Sequence, residues 1–153
     1  HYPIHMARSD AKCVIHLHSV HACALLMQRG VKLDEQGSQL AATLYQKIAY
    51  CDEYDSVLRQ PEEGRALAES VGDCSVLALR IHGYMTVGEI VAVALERAYI
   101  FERACKLQLL AQSSGQELNR IPDNMIGEIC REENLYNGGY FEGMKRLFQE
   151  TDR

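Results

Sequence analysis

Three histidines fall within six positions, His16, His18 and His21, in the stretch VIHLHSVHACALL, and a fourth, His82, precedes a glycine at the end of another apolar run. Neutral imidazoles are good ligands for a divalent ion. Three of them with a fourth position left open make a catalytic zinc arrangement, in which the open position polarises a substrate oxygen. On a strand, residues two apart face the same way, so His16 and His18 supply a two-ligand edge with Leu17 turned to the other side. The natural third ligand is His82, since Gly83 after it permits a tight turn. An HxH pair is common, however, and a purely structural role for the three rings stays open. For His21, at a helix start, capping or contact with a carboxylate is expected in place of metal binding, and His1 and His5 read as strand or edge residues.

Other side chains carry a chemical reading beside a plainer one. Glu96 and Glu102 would orient a ligand histidine or, more simply, stay solvated or pair with Arg97 or Arg103. Tyr45, Tyr50, Tyr54 and Tyr84 would donate a proton near a metal or pack with a wet tip. Tyr136 and Tyr140 lie in a glycine-containing tail.

The elements that must hold these residues follow from pattern. Residues 11–18, AKCVIHLH, read as a buried strand preceded by Asp10. A helix follows, with Ser19 as its cap and Gly30 as its end. QLAATLYQKIAYCDEYD starts helical and turns into a strand around KIAYC. Pro61, with Glu62 and Glu63 in the first turn, opens a helix that Gly72 closes. CSVLALRI is a second buried strand leading into His82 and Gly83. The longest periodic segment, EIVAVALERAYIFERACKLQLLAQ, is a helix. The stretch QELNRIPDNMIGEICREENLYNGGY is polar and interrupted, and FEGMKRLFQETD is a terminal amphipathic helix. Strands interleaved with helices predict a layered α/β domain spanning residues 1–153, with no internal repeat.

Composition narrows the partners. With 47% hydrophobic residues, 153 residues suffice for one core. Sixteen Lys and Arg against 21 Asp and Glu, with no basic cluster, argue against nucleic acid. Every apolar stretch falls far short of the roughly 18 residues of a membrane span, and HYPIHMARSD has no signal-peptide pattern, so no membrane association and a cytoplasmic location are expected. Six cysteines without CxxC pairs read as reduced and buried.

Taken in order, HYPIHMARSDAKCVIHLHSVHACALL, LYQKIAYCDEYD and PEEGRALAESVGDCSVLALRIHGYMTVGEIVAVALERAYIFERACKLQLLAQSSG resemble the class II aldolase/adducin family over most of the chain. The matching features are His1 upstream of the strand, the HxHS pair His16 and His18, the run Gly72 to Gly88, and the helical segment Leu95 to Gln108. The resemblance implies a three-layer α/β/α sandwich around a mixed, mostly antiparallel sheet, incomplete at its N-terminus. It implies that His16, His18 and His82 bind Zn2+ or another divalent ion such as Mn2+, Co2+ or Fe2+. The activity implied is that of an aldolase-type lyase acting on a small hydroxy-carbonyl compound, a sugar phosphate or sugar acid, through a metal-stabilised enediolate. A sugar-phosphate epimerase and an adducin-like binding or scaffold domain without catalysis are the alternatives. The family's catalytic acid and its phosphate-binding Gly, Ser and Thr are expected before His1. A homo-oligomer, a tetramer with sites at subunit boundaries, is also implied. Two departures stand out: Ile81 replaces the Asn that often precedes the third histidine, and Cys51 replaces a His.

Overall fold

A computed structural model describes residues 1–52, 61–133 and 139–151. Seven helices and four strands follow one another among them: α1 (Tyr2–Ala7), β1 (Cys13–Leu17), α2 (Val20–Leu26), α3 (Gln39–Ala42), β2 (Ile48–Cys51), α4 (Pro61–Val71), β3 (Val76–Leu79), β4 (Gly83–Gly88), α5 (Val91–Gln112), α6 (Asp123–Glu133) and α7 (Gly139–Thr151). The strands form one sheet in the order β1-β4-β3-β2. β4 runs antiparallel to both β1 and β3, and β2 is parallel to β3.

Alternation along the strands separates two apolar layers. Val76, Ala78 and Tyr84 join Ala22, Leu25 and Leu26 of α2, Ala41 of α3 and Phe101 of α5. Leu77, Leu79, Met85 and Val87 turn to the other face, onto Ile4 of α1 and Ala68 and Val71 of α4. Helices therefore cover both faces of a mixed, mostly antiparallel sheet, the expected α/β/α arrangement. β3 and β4 are buried along their whole lengths, as strands between two helical layers must be.

Several local expectations are corrected. His1 and His5 are not in a strand: His1 stands at the N-cap position of α1, whose start Pro3 presets, and His5 lies in its last turn. The His5 ring bonds the Ala11 carbonyl. Gly30, at φ +73°, belongs to the turn after α2, which ends earlier, at Leu26. Of the six free cysteines only Cys105 is fully buried, the other five being half-buried. A helix, α6, occupies part of the polar stretch after Pro122. The segment YMTVG, for which the sequence pattern gives no element, lies in a full strand, β4.

This topology decides where the histidines go. The C-terminal ends of β1, β2 and β3 and the start of β4 share one rim of the sheet, so the residues after Leu17 and those between Leu79 and Gly83 are neighbours.

Candidate metal centre

His16 is the penultimate residue of β1 and His18 follows its last residue, while His82 closes the turn between β3 and β4. The three rings meet at the sheet rim, their centroids 4.8, 4.9 and 4.8 Å apart in pairs. The Nε2 atoms of His16 and His18 are 3.2 Å apart. One nitrogen from each of the three rings lies within 4.8 Å of the others. Zinc–nitrogen bonds of about 2.0–2.1 Å set tetrahedral ligand nitrogens about 3.3 Å apart. The His16–His18 pair already has that spacing, and a nitrogen of His82 lies within 4.8 Å of both. Among the described residues this is the one His, Cys, Asp and Glu cluster that can hold a metal ion. The donor set, three imidazoles without a carboxylate or thiolate, suits zinc and its first-row neighbours.

Electrostatics favour the ligand form. Burial, and then His82 and His18, push the pKa of His16 down to about 4. Burial followed by His18 also lowers that of His82. These rings carry free lone pairs at neutral pH, as metal binding requires. His18 is exposed, which leaves the cluster open to solvent on its side.

The turn that presents His82 is fastened from several sides. The His82 N–H donates to the Leu79 carbonyl at 3.2 Å, and the Arg80 N–H donates to Cys51 at 3.0 Å. The guanidinium of Arg80, a buried residue, donates to Asp52 at 2.8 Å and to the Val31 carbonyl, and lies over the Tyr50 ring. The Cys23 thiol contacts the His82 carbonyl at 3.4 Å.

Within this turn the left-handed residue is Ile81, at φ +59°, and not Gly83. A β-branched side chain is poorly tolerated there, whereas Asn and Gly fit. Ile81 is 65% exposed, so little packing offsets the strain. Ile81→Asn is therefore expected to stabilise the protein by roughly 1 kcal/mol, read as a higher urea midpoint with an unchanged slope. A lower midpoint would mean that the isoleucine side chain makes a compensating contact. Gly83 is required for a different reason than a turn. A Cβ there would meet the Leu17 carbonyl oxygen and come within 2.5 Å of Cδ2 of His18.

The remaining candidates fall away from the cluster. His21 pairs with Glu102, Nδ1 to Oε1 2.7 Å, as expected for a helix-start histidine beside a carboxylate. Glu102 thus meets neither a ligand ring nor Arg103, whose guanidinium reaches the Tyr99 hydroxyl. Arg97 donates to the Val87 carbonyl, and Glu96 is half-buried beside it. The His1 ring is 6.5 Å from that of His16, outside ligand distance of the cluster. Tyr50 and Tyr84 pack with satisfied hydroxyls: Tyr50 accepts from the Leu33 N–H and Tyr84 donates to the Ala98 carbonyl. Burial pushes both phenols up to about 12. Tyr45 lines a polar groove with Lys32, Asp34 and Arg120, and Tyr140 stacks on Tyr99 at 4.7 Å. Tyr54 and Tyr136 lie outside the described residues.

Two roles escaped the sequence pattern: Ile81 stands out there only as a replacement for Asn and not as a strained turn residue, and Glu102 as a candidate to orient a ligand histidine and not as a cap for α2. The second leaves no local signal, because its partners are about eighty positions away in sequence.

Known proteins share this fold and resemble this sequence. Residues 1–109 match the model of the class II aldolase and adducin N-terminal domain. Human gamma-adducin is 34% identical over 113 residues, covering 72% of this chain and 15% of that protein. Decarboxylase NovR of Streptomyces niveus is 29% identical over 131 residues, covering 86% of this chain and 46% of that protein. The crystal structure of an aldolase II superfamily protein from Pseudomonas syringae superposes with a TM-score of 0.84 at 28% identity, covering 97% of this chain and 61% of that one. The chain spans about half the length of the curated relatives it first matches.

Proposed function

The chain belongs to the class II aldolase and adducin family, and on that premise we propose that it is the metal-holding part of a divalent-metal-dependent lyase acting on a small hydroxy-carbonyl compound. The observation that carries this reading is the convergence of His16, His18 and His82 on one point of the sheet rim. A divalent ion held there supplies a Lewis acid for the oxygens of a hydroxy-carbonyl group. The chain's own residues provide the rest of what the site needs. His16 and His82 offer neutral rings at physiological pH. Arg80 fixes the turn that carries His82, and the exposed side of His18 leaves room for a substrate to approach. The substrate class is a sugar phosphate or sugar acid, and zinc is the first choice of ion, with manganese, cobalt and iron suited to the same donors.

The same reading takes residues 1–153 as one domain, since α6 packs on α3 and α7 on α5. It also takes the protein to be a homo-oligomer, a tetramer, and the exposed apolar side chains of Val20 and Met27 on α2 and just after it support a covered surface near the site. Free thiols support a reducing, cytoplasmic setting. Among the described residues no helix is long and apolar enough to cross a membrane.

The test is elemental analysis of untagged protein purified without added metal, followed by assay of the full-length protein against hydroxy-carbonyl sugar derivatives with and without chelator. Close to one divalent ion per chain and chelator-sensitive carbon–carbon cleavage are expected. Absence of metal even after zinc is added back would overturn the reading and favour a non-catalytic scaffold role, the reading that the match to gamma-adducin keeps in view.

A further inference from the structure

The segment that carries His16 and His18 leaves the sheet into α2, whereas the one that carries His82 runs into β4, which pairs with β1 up to Leu17 and Tyr84. Past the end of that ladder, the path of the chain from His18 into α2 must be held by residues just beyond the rings. Ser19 follows His18, and Tyr84 lies two residues after His82. The Ser19 Oγ is 2.6 Å from Oε2 of Glu102 and 3.2 Å from the Tyr84 hydroxyl. The Tyr84 hydroxyl in turn donates to the Ala98 carbonyl of α5 at 3.0 Å, one helical turn before Glu102.

Glu102 also does the work that Ser19 was expected to do. A helix start leaves its first N–H groups without partners, and a Ser at the N-cap normally accepts from one of them. Ser19 has the extended backbone of an N-cap, yet its side chain caps nothing. Its hydroxyl is turned to Glu102, and Glu102 accepts instead from the backbone N–H groups of His21 at 3.0 Å and Ala22 at 2.8 Å. The His21 ring adds its bond to Oε1 at 2.7 Å. One carboxylate on α5, with 22% of its side chain exposed, thereby collects four donors from three of the four residues that follow His18. Burial acts to raise its pKa, but the bonds from Ser19, His21 and Ala22 together bring it below the usual carboxylate range.

We propose that Glu102 is the positioning residue of the metal centre: by capping α2 from α5 and accepting from the Ser19 hydroxyl, it fixes where the chain turns from His18 into α2, just past the end of the ladder that sets the His82 segment. Glu102 touches no ligand ring, so it acts through the backbone and the Ser19 hydroxyl. Its carboxylate geometry matters more than its volume, because both oxygens are used as acceptors. An amide at the same place offers one acceptor and presents an N–H2 group to donors. This role rests on the metal-centre reading for its consequence but not for its mechanism.

The experiment compares the full chain with Glu102→Gln, Glu102→Asp and His21→Asn. Histidine side-chain NMR is recorded on metal-free protein, followed by zinc affinity by chelator competition and the visible spectrum of the cobalt-loaded protein. Glu102→Gln is expected to shift the His18 resonances without zinc present, to weaken zinc by about tenfold, as loss of an outer partner does, and to alter the cobalt spectrum. Glu102→Asp is expected to recover part of each effect, and His21→Asn, which leaves the carboxylate cap, to disturb the zinc affinity little. Unchanged His18 resonances and zinc affinity in Glu102→Gln, with only a lower melting temperature, would overturn the proposal and leave Glu102 a structural cap. If the parent protein binds neither zinc nor cobalt while the His18 resonances still move, the metal reading fails and the positioning role stands.

Discussion

Replacing His82 by alanine is expected to leave a folded protein that no longer retains its ion. Structural zinc sites of four ligands bind with an apparent 10–16 kcal/mol, so one ligand accounts for roughly 3 kcal/mol, or about a hundredfold in affinity. With only three protein ligands available, the loss takes the site from stable occupancy to ready exchange with buffer. Elemental analysis after gel filtration reads this directly, and His16→Ala and His18→Ala should behave alike. Stability in chelator should change little for His82→Ala, by about 0.5 kcal/mol or less, because the ring lies at the rim and belongs to neither apolar layer. A variant that keeps its metal would show that these rings are not the ligands. One that unfolds would show that His82 serves the β3–β4 turn instead.

The second large effect is expected one residue later. Gly83→Ala places a methyl group against the Leu17 carbonyl oxygen and 2.5 Å from the His18 ring. The oxygen belongs to the backbone of β1, which pairs with β4 at Leu17 and Tyr84, so it cannot give without opening the end of the ladder. Overpacking of this kind costs about 1–3 kcal/mol, and the ring must swing away as well. Gly83→Ala should therefore lower both the urea midpoint and the zinc affinity, whereas Ile81→Asn, two residues earlier, should raise the midpoint. Equal stability of Gly83→Ala and the parent would mean that β1 and β4 are further apart than described. The opposite signs make the pair a stringent test of the turn, since any general fragility of this loop would move both variants the same way.

Much of the frame was legible because it rests on periodicity and punctuation. Pro61 and Gly72 bracket α4, the long apolar pattern gives α5, and the short β-rich runs give β1, β2 and β3. The juxtaposition of His16 and His18 follows from the two-residue repeat of a strand, and that of His82 from its place at the end of an apolar run. What was not legible depends on contacts between distant segments. β4 lies between two glycines and is buried throughout, so it shows no alternation to read. α1 is six residues long, fewer than two helical turns, too short for an apolar period to show, and its one histidine is not diagnostic of helix. The reason for Gly83 is the approach of a strand nearly seventy positions away, which composition near residue 83 does not encode. The left-handed backbone of Ile81 runs against its own residue preference. Ser19 occupies the cap position that its type announces, but a carboxylate from α5 takes over the capping.

The two apolar layers and the three rings draw on separate residues: no histidine of the cluster belongs to either layer, and no side chain of the layers offers a ligand nitrogen. Inheritance can therefore act on chemistry and architecture almost independently. A lineage that gives up a rim histidine keeps its sandwich intact, and one that keeps all three is free to drift in the layers beneath so long as volume is conserved. Such a division lets one frame keep a ring cluster or lose it, with only a few substitutions separating the two outcomes.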